Sequence, residues 1–284
     1  MVKQIKTTRP GRAAASAVKY TLLIFWALVQ VFPLYWLFTF SLKNNTEIFG
    51  LNPIGLPREW QWSNYQTVFD GTRILRYILN STVVTAVTIV LVSILALMAT
   101  YALSRMVWRG RGAVRSLYML GLAIPMHAAL LPVYLMLRDL SIHDSYWALI
   151  IPYTAFTLSM AILIFSGFMV GIPRELEESA CLDGCNIYGI FFRIITPLMV
   201  PAISVVAIFT FLQCWNELLF ASVYISSSDY TTLTVGVMQM SGQFRTSWGP
   251  IGAGLVVATL PTLVMYIILS EKVQKSLIMG ALKG

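Results

Sequence analysis

Charge is scarce in this chain, and histidine and cysteine are scarcer still. Of its 284 residues, 11% are Asp, Glu, Lys or Arg and 57% are hydrophobic, whereas a soluble domain carries roughly a quarter charged residues. With a mean hydropathy of +0.74, the chain lacks the polar surface that water demands, so the bilayer must be its solvent. The three cysteines and two histidines indicate no disulfide framework. Cys181 and Cys185 form a C-x3-C pair, but His127 and His143 lie far away in sequence. A zinc site needs about four ligands, and no metal is expected. The phosphate-binding pattern G-x4-G-K-[ST] is missing, which excludes nucleotide binding of the usual kind. Basic stripes interleaved with aromatics are missing too, so the net charge of +8 does not signal nucleic acid.

What is present is a series of long apolar runs. A spanning helix needs about 20 mostly apolar residues. Six runs qualify: Tyr20–Leu42, Ser81–Ser104, Val114–Leu137, Trp147–Ile172, Met199–Tyr224 and Ile251–Leu269. They are too long and too unalternating for barrel strands, so an all-α membrane protein with six transmembrane helices is expected. The first run is too long for the apolar part of a cleavable leader, which is about 7–15 residues, and reads as a retained anchor.

Lys and Arg set the orientation. Lys3, Lys6, Arg9, Arg12 and Lys19 precede the first run with no acid among them. Arg105, Arg109, Arg111 and Arg115 fill the second connection, and Lys272, Lys275 and Lys283 follow the last run. The positive-inside rule puts these segments, and both termini, in the cytoplasm. The expected order is a tail at 1–19, a first span at 20–42, and an outer loop at 43–80. A core membrane domain at 81–269 and a tail at 270–284 follow. Pro53, Pro57, Trp60, Trp62, Tyr65 and Phe69 mark the outer loop as a compact cap.

One connection breaks the rule. The cytoplasmic stretch between the fourth and fifth spans carries Glu175, Glu177, Glu178 and Asp183 against Arg174. Pro173 suits a first helical turn, and the acids behind it favour the positive end of the helix dipole. Leu176, Ala180 and Asp183 follow at helical spacing, and Gly184 fits a left-handed cap. A second short helix over Ile187–Ile195 then leads to Thr196 and Pro197. An interfacial helix meeting anionic lipid would be rich in Lys and Arg. The opposite charge here favours a protein partner, and the small Ser179 and Ala180 would let its backbone approach.

Glu178-Ser179-Ala180, three residues, Gly184, nine residues and Ile194-Ile195-Thr196-Pro197 resemble the EAA motif of permease subunits in binding-protein-dependent ABC importers, which reads EAA-x3-G-x9-I-x-L-P. Ser179 and Thr196 are its two departures. Asn64-Tyr65, Asn80-Ser81, Trp215-Asn216-Glu217, the Thr232–Gly236 stretch, Trp248-Gly249 and the ending Gly280–Gly284 resemble the carbohydrate-uptake, maltose-type branch. The resemblance implies a type I importer permease fold in the bacterial plasma (inner) membrane. It implies a transporter subunit with no ATPase site of its own, moving a sugar or oligosaccharide by alternating access. Its partners would be a second homologous permease subunit, two cytoplasmic ATPase subunits that hold ATP and Mg, an extracytoplasmic binding protein and membrane lipid. The chain itself would bind no cofactor.

By the same resemblance, coupling helices over 172–197 would seat in the ATPase. Leu176, Glu178, Ser179, Ala180, Asp183, Gly184 and Pro197 are the docking residues, with Ala180 packing against the ATPase. The tail from Gly280 to Gly284 would reach the ATPase interface. Met240, Gln243 and Phe244 would belong to an outer loop that enters the binding protein. Gln213, Trp215, Asn216 and Glu217 lie in the predicted fifth span, and an intramembrane carboxylate marks function by default. They can line a sugar path, or they can pair with a neighbouring helix or with the second permease subunit. His127, after Pro125, reads first as a helix–helix contact.

Two other function classes fit less well. An intramembrane enzyme wants paired catalytic acids or a Ser/His pair, and Glu217 is the lone acid in the predicted spans. A stand-alone channel or secondary transporter would show inverted repeats or a charged pathway. A non-sugar polar solute such as glycerol phosphate is the alternative cargo.

Overall fold

A computed structural model describes residues 10–243 and 247–281, with side chains placed for 16–50, 52–242 and 247–268. The described residues form helices, turns and loops without a strand. In chain order the helices are α1 (Pro10–Ser41), α2 (Ser63–Gly71), α3 (Ile74–Arg105), α4 (Arg111–Gly121), α5 (Leu130–Asp139), α6 (Trp147–Val170), α7 (Glu175–Leu182), α8 (Ile187–Ile190), α9 (Thr196–Leu198), α10 (Val200–Trp215), α11 (Leu219–Tyr224), α12 (Leu233–Gln243) and α13 (Trp248–Ala281). They divide into two compact units, one of residues 1–71 and 241–256, the other of 72–240 and 257–284.

In the first unit, α1 is apolar on all sides and exposed from Ser16 through Trp36, as suits a helix solvated by lipid. Beyond its end the chain folds back on itself, as the predicted cap requires. Lys43 is buried, and its Nζ donates to the carbonyls of Asn52 at 2.7 Å and Pro53 at 3.4 Å. Burial lowers its pKa, and the nearby Glu47 charge opposes that shift. The Glu47 carboxylate accepts from the Arg58 backbone N–H at 2.9 Å. Asn64 Nδ2 donates to the carbonyls of Ser41 at 2.9 Å and Lys43 at 3.1 Å.

In the second unit, α3 and α6 pack along their lengths with α10 against both. Small residues, Ala96, Ala161 and Ala202, sit in the buried contact, where they let membrane helices approach closely. A second apolar cluster gathers Val84, Leu149, Tyr153, Phe220 and Tyr224.

Among the described residues, four helical segments are long and apolar enough to cross a membrane alone: Ser16–Ser41, Ile74–Arg105, Trp147–Val170 and Trp248–Ile268. Two others qualify only as bent pairs, Arg111–Gly121 with Met126–Asp139 at 94°, and Ile187–Leu198 with Val200–Trp215 at 70°. The expected third span, Val114–Leu137, is therefore not one helix. Pro125 has no N–H to give and disfavours a helical conformation at Ile124. It takes φ −65°, ψ 120° and a 3-10 turn, Met126–Ala129, follows it. The expected fifth span, Met199–Tyr224, is also divided, because α10 ends at Trp215.

Two boundaries move for simpler reasons. α3 begins at Ile74, so residues 74–80, expected in the outer loop, are helical. α13 runs to Ala281 through most of the expected tail. The stretch from Glu271 to Met279 holds no Gly or Pro to stop it.

Candidate functional site

The acidic connection is the helix–turn–helix that its sequence predicted. α7 opens with Glu175, Glu177 and Glu178 in its first turn. It closes on Gly184, whose φ of +83° lies in the left-handed region. Gly184 N donates to the Cys181 carbonyl at 3.1 Å and Cys185 N to the Ala180 carbonyl at 2.9 Å, which is the paired bonding of a Schellman cap. Asn186 Oδ1 accepts from Gly189 N at 2.8 Å and caps α8.

The second helix is not regular. Phe191–Ile195 widens into a π-helical turn. Thr196 contributes both its N–H and its hydroxyl, the latter at 2.9 Å, to the Phe191 carbonyl. Pro197, lacking an N–H, leaves the normal ladder at the same place. The motif's departure at Thr196 thus has a local job.

Leu176, Glu178, Ser179, Asp183, Gly184 and Pro197 are exposed. Ala180 is not, and its expected packing against a partner is corrected here. At 7% exposure it joins the chain's own core with Ile190, Phe191 and Met169. Leu176 and Asp183, at helical spacing from Ala180, do not share its burial. The inward face is Glu177 and Ala180, and Leu182, 89% exposed, stands outward.

Glu177 was not singled out in the sequence. Its Oε1 lies 2.8 Å from Arg105 Nε, and Tyr101 donates to its Oε2 at 3.1 Å. Arg105 Nη2 also donates to the carbonyls of Met169 at 3.1 Å and Ile172 at 2.5 Å. On sequence alone Arg105 reads only as a topology charge. A residue pair this far apart in sequence leaves no local signal.

The polar group at the end of α10 is split: Gln213 and Trp215 are in its last turn, whereas Asn216 and Glu217 lie beyond it, and all but Trp215 meet at one cleft. Glu217 lies in the break between α10 and α11 and is buried. Its carboxylate accepts from Phe220 N at 2.9 Å, Ala221 N at 3.0 Å and Tyr153 OH at 2.6 Å. It therefore fills the open start of α11. A cleft of about 370 Å³ is lined by Gln213, Asn216 and Glu217 together with Met126 and His127. His127 Nε2 lies 3.9 Å from Glu217 Oε1, with its side chain 61% exposed. Its ring makes the expected packing contact, edge-to-face on Phe220 of α11 at 6.1 Å, and it also lines the cleft. Gln213 Oε1 accepts from Thr157 Oγ1 at 3.4 Å, and Asn216 Nδ2 donates to the Leu212 carbonyl at 2.9 Å. Trp215 turns away, 3% exposed, with its indole donating to the Ala258 carbonyl at 3.2 Å and its ring stacked on Phe211.

The expected outer loop is partly helix. Met240 is inside α12 and fully buried, which removes its side chain from any partner surface. Gln243 is the last residue of that helix, and Phe244 lies outside the described residues. Gly280 falls within α13, and Gly284 lies outside the described residues.

Residues 93–275 match the sequence profile of a family described as "Binding-protein-dependent transport system inner membrane component". A probable ABC transporter permease protein of Bacillus subtilis, YurM, is 32% identical over 93% of this chain and 88% of its own length. A trehalose transport system permease protein of Mycobacterium tuberculosis, SugB, is 31% identical over 96% of this chain and 98% of its own. A subunit in the crystal structure of a bacterial ABC transporter that imports the acidic polysaccharide alginate superposes with a TM-score of 0.81. That likeness covers 94% of this chain and 99% of the other at 21% identity, and it establishes the shared fold.

Proposed function

The chain belongs to the binding-protein-dependent transport system inner membrane components, and on that footing we propose how it works. It is the multi-pass inner-membrane subunit of an importer that moves a sugar or oligosaccharide delivered by a binding protein. The observation that carries the coupling part of this reading is the acidic helix closed at Gly184, which offers Leu176, Glu178, Ser179 and Asp183 outward. A rigid lever with an unpartnered acidic face suits a partner that presents Arg or Lys. The partners proposed are two cytoplasmic ATPase subunits holding ATP and Mg, and a second permease subunit completing the pathway.

Six spans follow if each bent pair crosses once, and the Lys/Arg bias then supports cytoplasmic termini. Non-helical backbone at membrane depth is tolerated where it lines a water-filled cavity. We take the break to line such a cavity; the cleft beside Gln213, Asn216, Glu217 and His127 supports this by offering amide, carboxylate and imidazole groups to sugar hydroxyls. ATP-driven closure of the ATPase pair would swing α7, and the swing would switch the cleft between the two sides of the membrane. A sugar is favoured over a polyol phosphate by the trehalose relative and by the absence of a cationic cluster in the cleft lining.

The test is co-expression with candidate ATPases, second permease and binding protein, followed by purification and reconstitution in liposomes. The expected result is a stable complex that imports sugar only with ATP and loaded binding protein. Failure of any ATPase to co-purify, or transport by the chain alone, would overturn the reading. Preference for glycerol phosphate over every sugar tried would overturn the cargo.

A further inference from the structure

α7 is joined by the chain to two neighbours. The Gly171–Arg174 linker leads back to α6, and Asp183–Asn186 leads on to α8. No stretch of chain joins it directly to α3. Yet α3, packed along α6, is part of the wall beside the cleft-forming elements. The structure supplies a connection through side chains.

Arg105, the last residue of α3, meets Glu177 of α7 at 2.8 Å and at the same time donates to the carbonyls of Met169 and Ile172 at the end of α6. Tyr101, one turn earlier on α3, donates to the other Glu177 oxygen at 3.1 Å. The two charged side chains are 10% and 15% exposed, so solvent screening is weak. An Arg guanidinium can do this because its fork reaches partners in several directions at once, where a Lys ammonium acts as a point charge. The cation also sits at the negative end of α6, where the helix dipole favours it.

A buried ion pair adds little net stability over a well-packed apolar replacement, but removing one partner alone strands a charge. Its value is in fixing position. Here three helix ends are fixed to one another: the last turn of α3, the last turn of α6 and the inward face of α7.

We infer that Arg105 and Glu177 are positioning residues of the import cycle, locking the coupling helix to α3 and α6 so that all three move as one body. Glu177 faces inward and Glu178 outward, so adjacent acids have opposite tasks, one gripping the chain's own spans and the other facing the ATPase. With the lock released, α7 still docks and ATP is still hydrolysed. The stroke then reaches α10 through the chain but reaches α3 only by packing.

This inference rests on the proposed importer reading, and its test separates the two. Arg105→Gln, Glu177→Gln and the double variant are reconstituted in the full transporter, and sugar import and ATP hydrolysis are measured on the same liposomes. Glu177→Gln keeps the side chain's shape and an acceptor for Tyr101, and loses the charge. The expected result is hydrolysis within about twofold of wild type, with sugar imported per ATP falling about tenfold. The double variant should be no worse than the poorer single, as residues acting through each other require. Arg105→Lys should recover part of the ratio.

Import and hydrolysis falling in proportion would mean a purely structural role and would overturn the inference, as would an unchanged ratio or additive losses. Should Glu177→Gln fail to assemble, Tyr101→Phe deletes a single hydroxyl at the same junction. It is expected to lower the ratio by about twofold to threefold, and a wild-type ratio from it would equally refute the lock. If the wild-type chain brings down no ATPase, it is the importer reading that fails.

Discussion

Replacing Gly184 discriminates between two reasons for a glycine at the end of α7, the helix proposed to dock the ATPase. One reason is backbone conformation, since φ is +83°. The other is room, since a partner backbone can approach a residue without a side chain. The chain's own packing does not restrict this position, because a Cβ built on Gly184 meets nothing within 4 Å. Any cost within the subunit must therefore be conformational. An L-residue in the left-handed region loses about 1–2 kcal/mol, and a β-branched one more. Asn enters that region readily and replaces Gly at helix C-termini. About 1.4 kcal/mol is a tenfold change in an equilibrium.

If the Schellman turn is what matters, ATP-driven import should order as Gly, Asn, Ala, Val. Asn should stay within about threefold of wild type, Ala should lose about fivefold to tenfold, and Val should lose nearly all import. The assay is import by reconstituted complexes with equal amounts of bound ATPase, so that assembly is controlled. An Asn variant as poor as the Val variant would refute this reasoning and assign the glycine to close approach by the ATPase. A wild-type Ala variant would remove the turn from the mechanism altogether.

The break after α10 gives two further tests. Glu217→Ala leaves Phe220 N, Ala221 N and Tyr153 OH without their acceptor. At about 1–3 kcal/mol for each unpaired buried donor, the thermal midpoint of the purified complex should fall sharply. Glu217→Gln, which keeps an acceptor oxygen, should fall less, and equal midpoints for the two would contradict the capping role. Trp215→Phe removes the indole N–H bond to Ala258 but keeps a ring against Phe211. It should cost about 1 kcal/mol of stability and leave the sugar KM unchanged, and a raised KM would return Trp215 to the solute path.

The features readable in the sequence are those with local causes. Apolar runs of spanning length announce the helices, and Gly184 announces the turn because its geometry is set by four or five residues. Pro125 lies inside a predicted span, and Pro197 and Pro201 flank the break at the start of α10. How far the chain bends at these places, 94° and 70°, depends on how neighbouring helices accommodate the lost hydrogen bonds. Asn216 and Glu217 read as polar residues in a membrane, but whether they faced a path or a partner turned on where α10 stopped. The junction of Arg105, Glu177 and Tyr101 was hidden because each residue had a sufficient local explanation. Arg105 served topology, Glu177 served the helix dipole, and Tyr101 served an apolar span. Only their convergence in space assigns them a common task. The inward turn of Ala180 is hidden for a related reason. A short helix with acids on two faces does not reveal which face turns inward.

The break between α10 and α11 has a bearing on leakage. Glu217 closes the start of α11 with its side chain, and the adjoining cleft, at about 370 Å³, has room for water beside it. A hydrated hollow at membrane depth shortens the insulating path for protons and ions. On the proposed transport reading, such a cleft needs one mouth sealed at every stage of the cycle, and a variant that imports normally while letting protons through would locate the seal.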